Sequence, residues 1–268
     1  MWAEKELEKL RVLAGNKPLR MAYNTGVLLF VPDDGIMGPA FIRGPYEPYE
    51  TSLVQDWLRP GDAAIDVGAH CGFYSIVMAE RVGTKGRVVA IEPDPFNLWY
   101  LRKNVLLNHA ANVSVIPAAA VKEEGETDLY LCQSGNSGDH RLWLEQGKKE
   151  RSVPVNGVRI DSIHPVGSPT SFLKIDTQGT ELDVLKGAVQ TIADSKRLAM
   201  AVEYWPWGIR QYGSDPEEFC RFLFERFHVY LISEYRKGCL ETTTEKLLAL
   251  PDLTPDGKGF GNLWCVKK

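Results

Sequence analysis

Four carboxylates close apolar runs in this chain: Asp66, Glu92, Asp176 and Glu203. In an open α/β sheet the ligand crevice lies beyond the carboxyl ends of the strands, so acids at such ends face whatever is bound. There they accept hydrogen bonds from hydroxyls, neutralise a cation or take up a proton. Asp66 belongs to Ala63-Ala-Ile-Asp-Val-Gly-Ala-His-Cys-Gly72, which turns through Gly68 and opens a helical pattern with Tyr74, Val77, Met78 and Val82 on one side. A strand, a glycine turn and a helix bring backbone N–H groups and the positive end of a helix against a ligand. The second run, Val88-Val-Ala-Ile-Glu-Pro-Asp94, reaches Glu92 twenty residues after Gly72. That is where a doubly wound sheet places the acid that binds ribose hydroxyls. Together the two runs read as a nucleoside site, against the plainer reading of both acids as helix caps.

Glycine spacing decides which nucleoside. A dinucleotide fingerprint requires glycine at 68, 70 and 73, so that a pyrophosphate can approach the helix N-terminus. Those positions hold Gly68, His70 and Phe73, and the pattern present is Asp66-x-Gly-x-x-x-Gly72. Close approach survives at Gly68 and Gly72, but side chains stand where a pyrophosphate would lie. S-adenosylmethionine has no phosphate, and its sulfonium and ammonium suit a carboxylate such as Asp66 beside the turn.

Methyl transfer is an in-line displacement in which positioning meets much of the barrier. A base helps when the acceptor is a neutral hydroxyl. With Glu92 on ribose and Asp66 supporting the turn, Asp176 and Glu203 are left for the acceptor, as base, hydroxyl orienter or oxygen ligands for a hard cation. No metal ligand set is identifiable, so a divalent metal stays an open idea. Asp176 reads equally as a cap for a helix beginning near Thr180. Glu181 reads as an early-helix charge favoured by the dipole. His140, in Ser137-Gly-Asp-His-Arg141, is a candidate base on a polar loop, although plain solvation is the commoner fate of such a residue. His70 reads equally as an acceptor contact or a surface-loop histidine. Trp205 and Trp207 either wall an aromatic pocket or pack as a turn around Pro206.

The elements that must hold these groups alternate along the chain. A helical period near residues 4–13 and a hairpin over Met21–Pro32, with turn chemistry at Asn24-Thr-Gly26, precede a helix burying Leu53, Val54, Trp57 and Leu58. Strands are expected at Ala63–Val67, Val88–Glu92, Val113–Ala118, Phe172–Asp176 and Leu198–Glu203. Helices are expected from Phe96 to about His109 and along a segment with Leu182, Leu185, Val189 and Ile192 inward. Such alternation predicts parallel strands with right-handed crossovers. Leu129–Cys132 and Val153–Val158 flank a polar loop and read as an antiparallel insertion, about residues 125–162. A helix over Pro216–Phe227 and strands at Val229–Ile232 and Asn262–Val266 complete an α/β, doubly wound, mostly parallel seven-stranded sheet. The expected division is an N-terminal hairpin and helix extension over residues 1–60 and a nucleoside-binding domain over 61–268.

Composition narrows the partners. The 268 residues are 44% hydrophobic and 25% charged, with a net charge of −4, the profile of an ordinary soluble globular protein. Lys148-Lys-Glu-Arg151 forms a compact basic cluster that reads as a solvated loop, so nucleic acid is not the favoured partner. Cys71, Cys132, Cys220, Cys239 and Cys265 are scattered without a Cys-x-x-Cys pair, which fits a reducing cytosol rather than a zinc site. No basic stretch leads into an apolar one at Met1-Trp-Ala-Glu-Lys-Glu6, and no apolar run has the length of a bilayer span. The expectation is a cytoplasmic protein without a membrane span; a homo-oligomer is compatible with the sequence.

Three blocks resemble the FkbM-type S-adenosylmethionine-dependent methyltransferases, over roughly residues 46–204. They are Tyr46-Glu-Pro-Tyr-Glu50 with Ile65-Asp-Val-Gly-Ala-His-Cys-Gly-Phe-Tyr-Ser75, then Glu92-Pro-Asp-Pro95 with Leu101 and Asn104, and finally Leu173-Lys-Ile-Asp-Thr-Gln-Gly-Thr-Glu181 followed by Val184-Leu-Lys-Gly187. His70 and Gln178 depart from that family, which often has asparagine and glutamate there. The resemblance implies a class I, Rossmann-like methyltransferase that consumes S-adenosylmethionine and releases S-adenosylhomocysteine. The cofactor set it implies is Glu50, Asp66, Gly68, Ala69, Gly72, Tyr74, Ser75, Glu92, Pro93 and Asn104, with Ala119 after the strand that begins at Val113. The expected catalytic groups are Asp176, Glu203 and His140, and the expected acceptor is a small hydroxylated molecule such as a sugar or polyketide. The alternatives are a nicotinamide-dependent oxidoreductase, which His70 and Phe73 disfavour, and a cofactor-binding protein that has lost catalysis.

Overall fold

Ala63–Val67 is apolar except for Asp66 and is buried along its whole length, as is Phe172–Ile175. Near-continuous burial of this kind requires cover on both faces of a sheet. In the computed structural model, which describes residues 19–22, 28–31, 35–42, 46–132, 135–164 and 168–268, these two strands lie side by side and parallel at the centre of the molecule. In chain order the strands are β1 (Leu19–Ala22), β2 (Leu28–Val31), β3 (Ala63–Val67), β4 (Arg87–Ile91), β5 (Val113–Ile116), β6 (Ala119–Ala120), β7 (Gly125–Leu131), β8 (Arg151–Val158), β9 (Phe172–Ile175), β10 (Ala199–Tyr204), β11 (Phe227–Ser233), β12 (Gly238–Glu241) and β13 (Gly261–Lys267).

The main sheet has the order β12-β11-β13-β10-β9-β3-β4-β5. From β10 to β5 the pairs are parallel, and β13 enters antiparallel between β10 and β11. The chain winds outward from β3 through β4 to β5, then returns to start again at β9, so the strand order reverses between β3 and β9. A crevice opens beyond the carboxyl ends at such a reversal. Alternation sorts the two cores. Ala64, Phe172, Ala199 and Ala201 meet the helices Pro48–Trp57 and Phe73–Val82, while Ile65, Leu173, Ile175, Met200 and Val202 meet Leu182, Leu185, Phe219 and Leu223 on the other face.

The α/β sheet expected from the sequence is present, with one strand more than expected. The eighth, β12, is a short hairpin partner of β11, reached through a turn in which Lys237 has φ of 47°. The helix expected through Leu182 and Ile192 is two helices, Glu181–Lys186 and Val189–Asp194. They part at Gly187, which the Val121 carbonyl approaches too closely for a Cβ, and Val189 is 47% exposed rather than inward. The insertion is a three-stranded sheet of order β6-β8-β7 in which β7 and β8 are antiparallel. β1 pairs antiparallel with β2 from Leu19↔Val31 to Ala22↔Leu28. The expected turn at residues 24–26 and the helix near 4–13 lie outside the described residues.

Candidate active site

The crevice at the reversal holds two adjoining cavities, and the turn after β3 forms the wall between them. Gly68 has φ of 75°, and Gly68 and Ala69 both donate N–H groups to the Ile91 carbonyl, at 3.0 and 3.1 Å. A Cβ at Gly68 would run into the Asp176 carbonyl oxygen, so only glycine lets β3 and β9 close on each other here. Gly68→Ala is expected to lose about 1–2 kcal/mol from the left-handed φ alone, with more from the backbone contact. Urea denaturation reads this loss, and cofactor affinity should fall with it.

On one side of the turn, Glu92 is buried and accepts the His70 N–H at 2.8 Å and the Asp94 N–H at 2.9 Å. Burial pushes its carboxyl up to about 7, against the pull of these backbone bonds. Asp94 caps the helix Pro95–Leu107 by accepting the Asn97 N–H at 3.0 Å. Ile91, Pro93, Ala119, Leu129 and Leu142 supply apolar walls beside Glu92. A glycine cradle, a strand-end acid and an apolar slot fit an adenosine without a pyrophosphate, which is the chemistry the residues present would hold.

On the other side lies a chamber of about 500 Å³. Its floor centres on Lys174, 2% exposed, whose Nζ is 3.4 Å from both Glu50 Oε1 and Asp176 Oδ2 and 5.1 Å from the centre of the Tyr74 ring. Glu50 Oε2 accepts from Asn262 Nδ2 at 2.6 Å. Gln178 Nε2 donates to Asp176 Oδ1 at 2.9 Å and to Glu203 Oε2 at 3.0 Å, so one amide joins two carboxyls. Burial, then the neighbouring Asp176 and Glu181, hold the Glu203 carboxyl well above the usual range. Glu47, whose Oε2 accepts the Tyr74 hydroxyl at 2.8 Å, is raised to about 7 by burial and by Glu50. Burial also raises Asp66 to about 6 although Ser75 Oγ donates to it at 2.5 Å. Glu47, His70 and Gln178 all line the chamber with positive φ, of 41°, 51° and 56°. Non-glycine residues in that region store strain and cluster at functional sites.

Several expected residues fall where the sequence placed them and several do not. Pro93 and Ala119 line the cavity beside Glu92, while Asp66, Ala69, Tyr74, Asp176 and Glu203 line the chamber. Asn104 lies behind the turn and donates to the Cys71 carbonyl at 2.7 Å. Ser75 serves Asp66, and Glu50 serves Lys174 from beneath the chamber. His140 lines the cavity with Glu92, its Nδ1 3.5 Å from Asp94 Oδ2, on the opposite side of the turn from most of the chamber. Glu181 stands in the first turn of its helix, as expected, and is fully buried; it accepts the N–H groups of Thr177 and Gly179, at 3.0 Å each, and so clamps the loop after β9. Trp205 walls the chamber, and Trp207 packs against it with ring centres 5.0 Å apart. Sequence reasoning missed Lys174, Glu47 and Asn97 as site residues. A lysine between Leu173 and Ile175 in a strand buried on both faces was the available signal. Among the described residues no group of three or more His, Cys, Asp or Glu is placed to hold a metal ion, and no helix is long and apolar enough to cross a membrane.

A glycine turn and strand-end acid at the reversal of an open α/β sheet, opening onto a carboxyl-lined chamber, define a class I methyltransferase-like protein. The model of the methyltransferase FkbM domain matches residues 66–232. The chain belongs to that family of S-adenosylmethionine-dependent methyltransferases. A protein-L-isoaspartate O-methyltransferase of Methanothrix thermoacetophila is 28% identical over 197 residues, 69% of this chain and 90% of the relative. The methyltransferase sdnD of Sordaria araneosa is 27% identical over 176 residues, 54% of this chain and 68% of the relative. Among solved structures, a methyltransferase FkbM from Methylobacillus flagellatus matches 81% of this chain at 18% identity with a TM-score of 0.45. This chain spans 50% of that protein's length.

Proposed function

We propose that the protein methylates a hydroxyl of a small molecule, with Asp176 as the proton acceptor. The observation that carries this reading is the meeting of the two cavities. Gly68, His70, Asp176 and Gln178 line both, so a methyl carried on an adenosine-linked sulfur would emerge beside Asp176. Bound S-adenosylmethionine supplies an electrophilic methyl on a cationic sulfur. The chain's part is to hold the hydroxyl in line, with Glu203 donating to it and Asp176 taking its proton as the oxygen–carbon bond forms and the carbon–sulfur bond breaks.

Formation of S-adenosylhomocysteine in a screen of hydroxylated metabolites is the test, and calorimetric binding of NAD in place of S-adenosylmethionine would overturn the reading. Glu92→Ala is expected to raise the Kd for S-adenosylhomocysteine about 10- to 100-fold, the loss of hydrogen bonds to a charged acceptor. The pH dependence has a definite sign. Ribose hydroxyls donate best to the ionised carboxylate, so binding releases a proton from a group that titrates at about 7. Affinity should therefore rise from about pH 6 to about pH 8 and then level off. In Glu92→Gln that slope should vanish.

A further inference from the structure

Asn97 occupies the first turn of the helix Pro95–Leu107, is 2% exposed and lines the cavity beside Glu92. Two acceptors orient its amide. Nδ2 donates to the Ser137 carbonyl at 3.0 Å, and the amide also donates to the Glu92 carboxylate. Turning the amide over would set its oxygen against a carbonyl and a carboxylate, so the nitrogen is held on that side by chemistry. Oδ1 is then left buried, and no protein donor reaches it among the described residues. A buried acceptor of this kind is costly unless a bound group supplies the missing donor.

We propose that Asn97 is a second ribose-reading residue of the donor site, its Oδ1 accepting a hydrogen bond from a ribose hydroxyl beside Glu92. The inference rests on the reading of this cavity as the S-adenosylmethionine site. Its position selects ribose over adenine. Asn97 adjoins the one acid of the cavity's ribose end, whereas Ile91, Pro93, Ala119, Leu129 and Leu142 offer an apolar slot suited to the faces of a base. The arrangement also explains why Ser137, in the insertion between β7 and β8, folds back over the cavity. His70 Nε2 pairs with Ser137 Oγ at 2.8 Å, and the His70 N–H donates to Glu92 Oε2. Asn97, Ser137, His70 and Glu92 thus form a closed ring that joins the turn after β3, the helix after β4 and the insertion. Whatever satisfies Asn97 Oδ1 stiffens that ring, so ribose recognition fastens the cover as well as the ligand.

The test is calorimetric titration of the full chain, wild type and Asn97→Ala, with S-adenosylhomocysteine and its 2′-deoxy and 3′-deoxy counterparts. Asn97→Ala should weaken S-adenosylhomocysteine about tenfold, and one of the two deoxy ligands should bind wild type and variant equally. Loss of the same factor for all three ligands would overturn the proposal, since Asn97 would then act only by holding Ser137; so would unchanged affinity for S-adenosylhomocysteine. Asn97→Leu, of similar volume, is read in the same way if the alanine variant does not fold. Failure of the wild type to bind S-adenosylhomocysteine would instead reject the donor site itself, a result visible before any variant is made.

Discussion

Asp176→Asn is expected to lower kcat by about 10²–10⁴-fold, the range for loss of a positioned general base, while the Kd for S-adenosylhomocysteine stays within about twofold. The surroundings single out Asp176 among the chamber's acids. Among the described residues that touch Lys174, its carboxyl is the partly accessible one, at 30% exposure, and it also accepts from Gln178 Nε2. Burial, then the neighbouring Asp176 and Glu181, push the Glu203 carboxyl well above the usual range. Burial and like charge favour the protonated form of Glu203, which suits it to donate, and the more accessible Asp176 is left to accept the proton. Asn at 176 preserves shape and the bond from Gln178 but cannot take a proton. Single-turnover kinetics with S-adenosylmethionine and an accepted metabolite separates this from a binding defect, and unaltered turnover would reject Asp176 as the base.

What the sequence made legible was local. Ala63–Val67, the turn at Gly68 and the helix from Phe73 are contiguous, and their order of apolar, glycine and helical periods needs no distant partner to be read. Glu92 could be placed because its role depends on a count from the same turn. The rest depended on contacts across the chain. Lys174 carries a charge in a buried strand, yet the partners that permit it, Glu50 and through it Asn262, come from a helix before β3 and from the final strand. Asn104 looked like a site residue beside Glu92, but in three dimensions helix Pro95–Leu107 turns it toward the back of the glycine turn, onto Cys71. The single helix expected after β9 failed for a similar reason. Its period continues through Gly187, but the backbone leaves the helix at Ala188, with φ of −117° and ψ of 14°, where the Val121 carbonyl lies against Gly187, and no pattern within the helix reports a neighbour from elsewhere.

The second large effect is on stability. Lys174→Met should destabilise the protein by about 3–5 kcal/mol, the cost of removing one partner from a buried ion pair, read from the midpoint of urea unfolding at constant m-value. Glu50 is the reason. It is 1% exposed, and its Oε1 has Lys174 as its cation and no hydrogen-bond donor among the described residues. Without the ammonium, Glu50 is left a buried carboxylate with no cation against it among the described residues. Neutralising both members should therefore recover much of the loss: Lys174→Met with Glu50→Gln is expected to be more stable than Lys174→Met alone, a coupling that a double-mutant cycle measures directly. Catalysis should not recover with it. The double variant still lacks the ammonium beside Asp176, so its kcat should stay low while its unfolding midpoint rises. If stability and turnover returned together, Lys174 would be a packing residue; their separation would place the same ammonium in two tasks, pairing Glu50 from below and holding the Asp176 carboxyl in place beneath the acceptor.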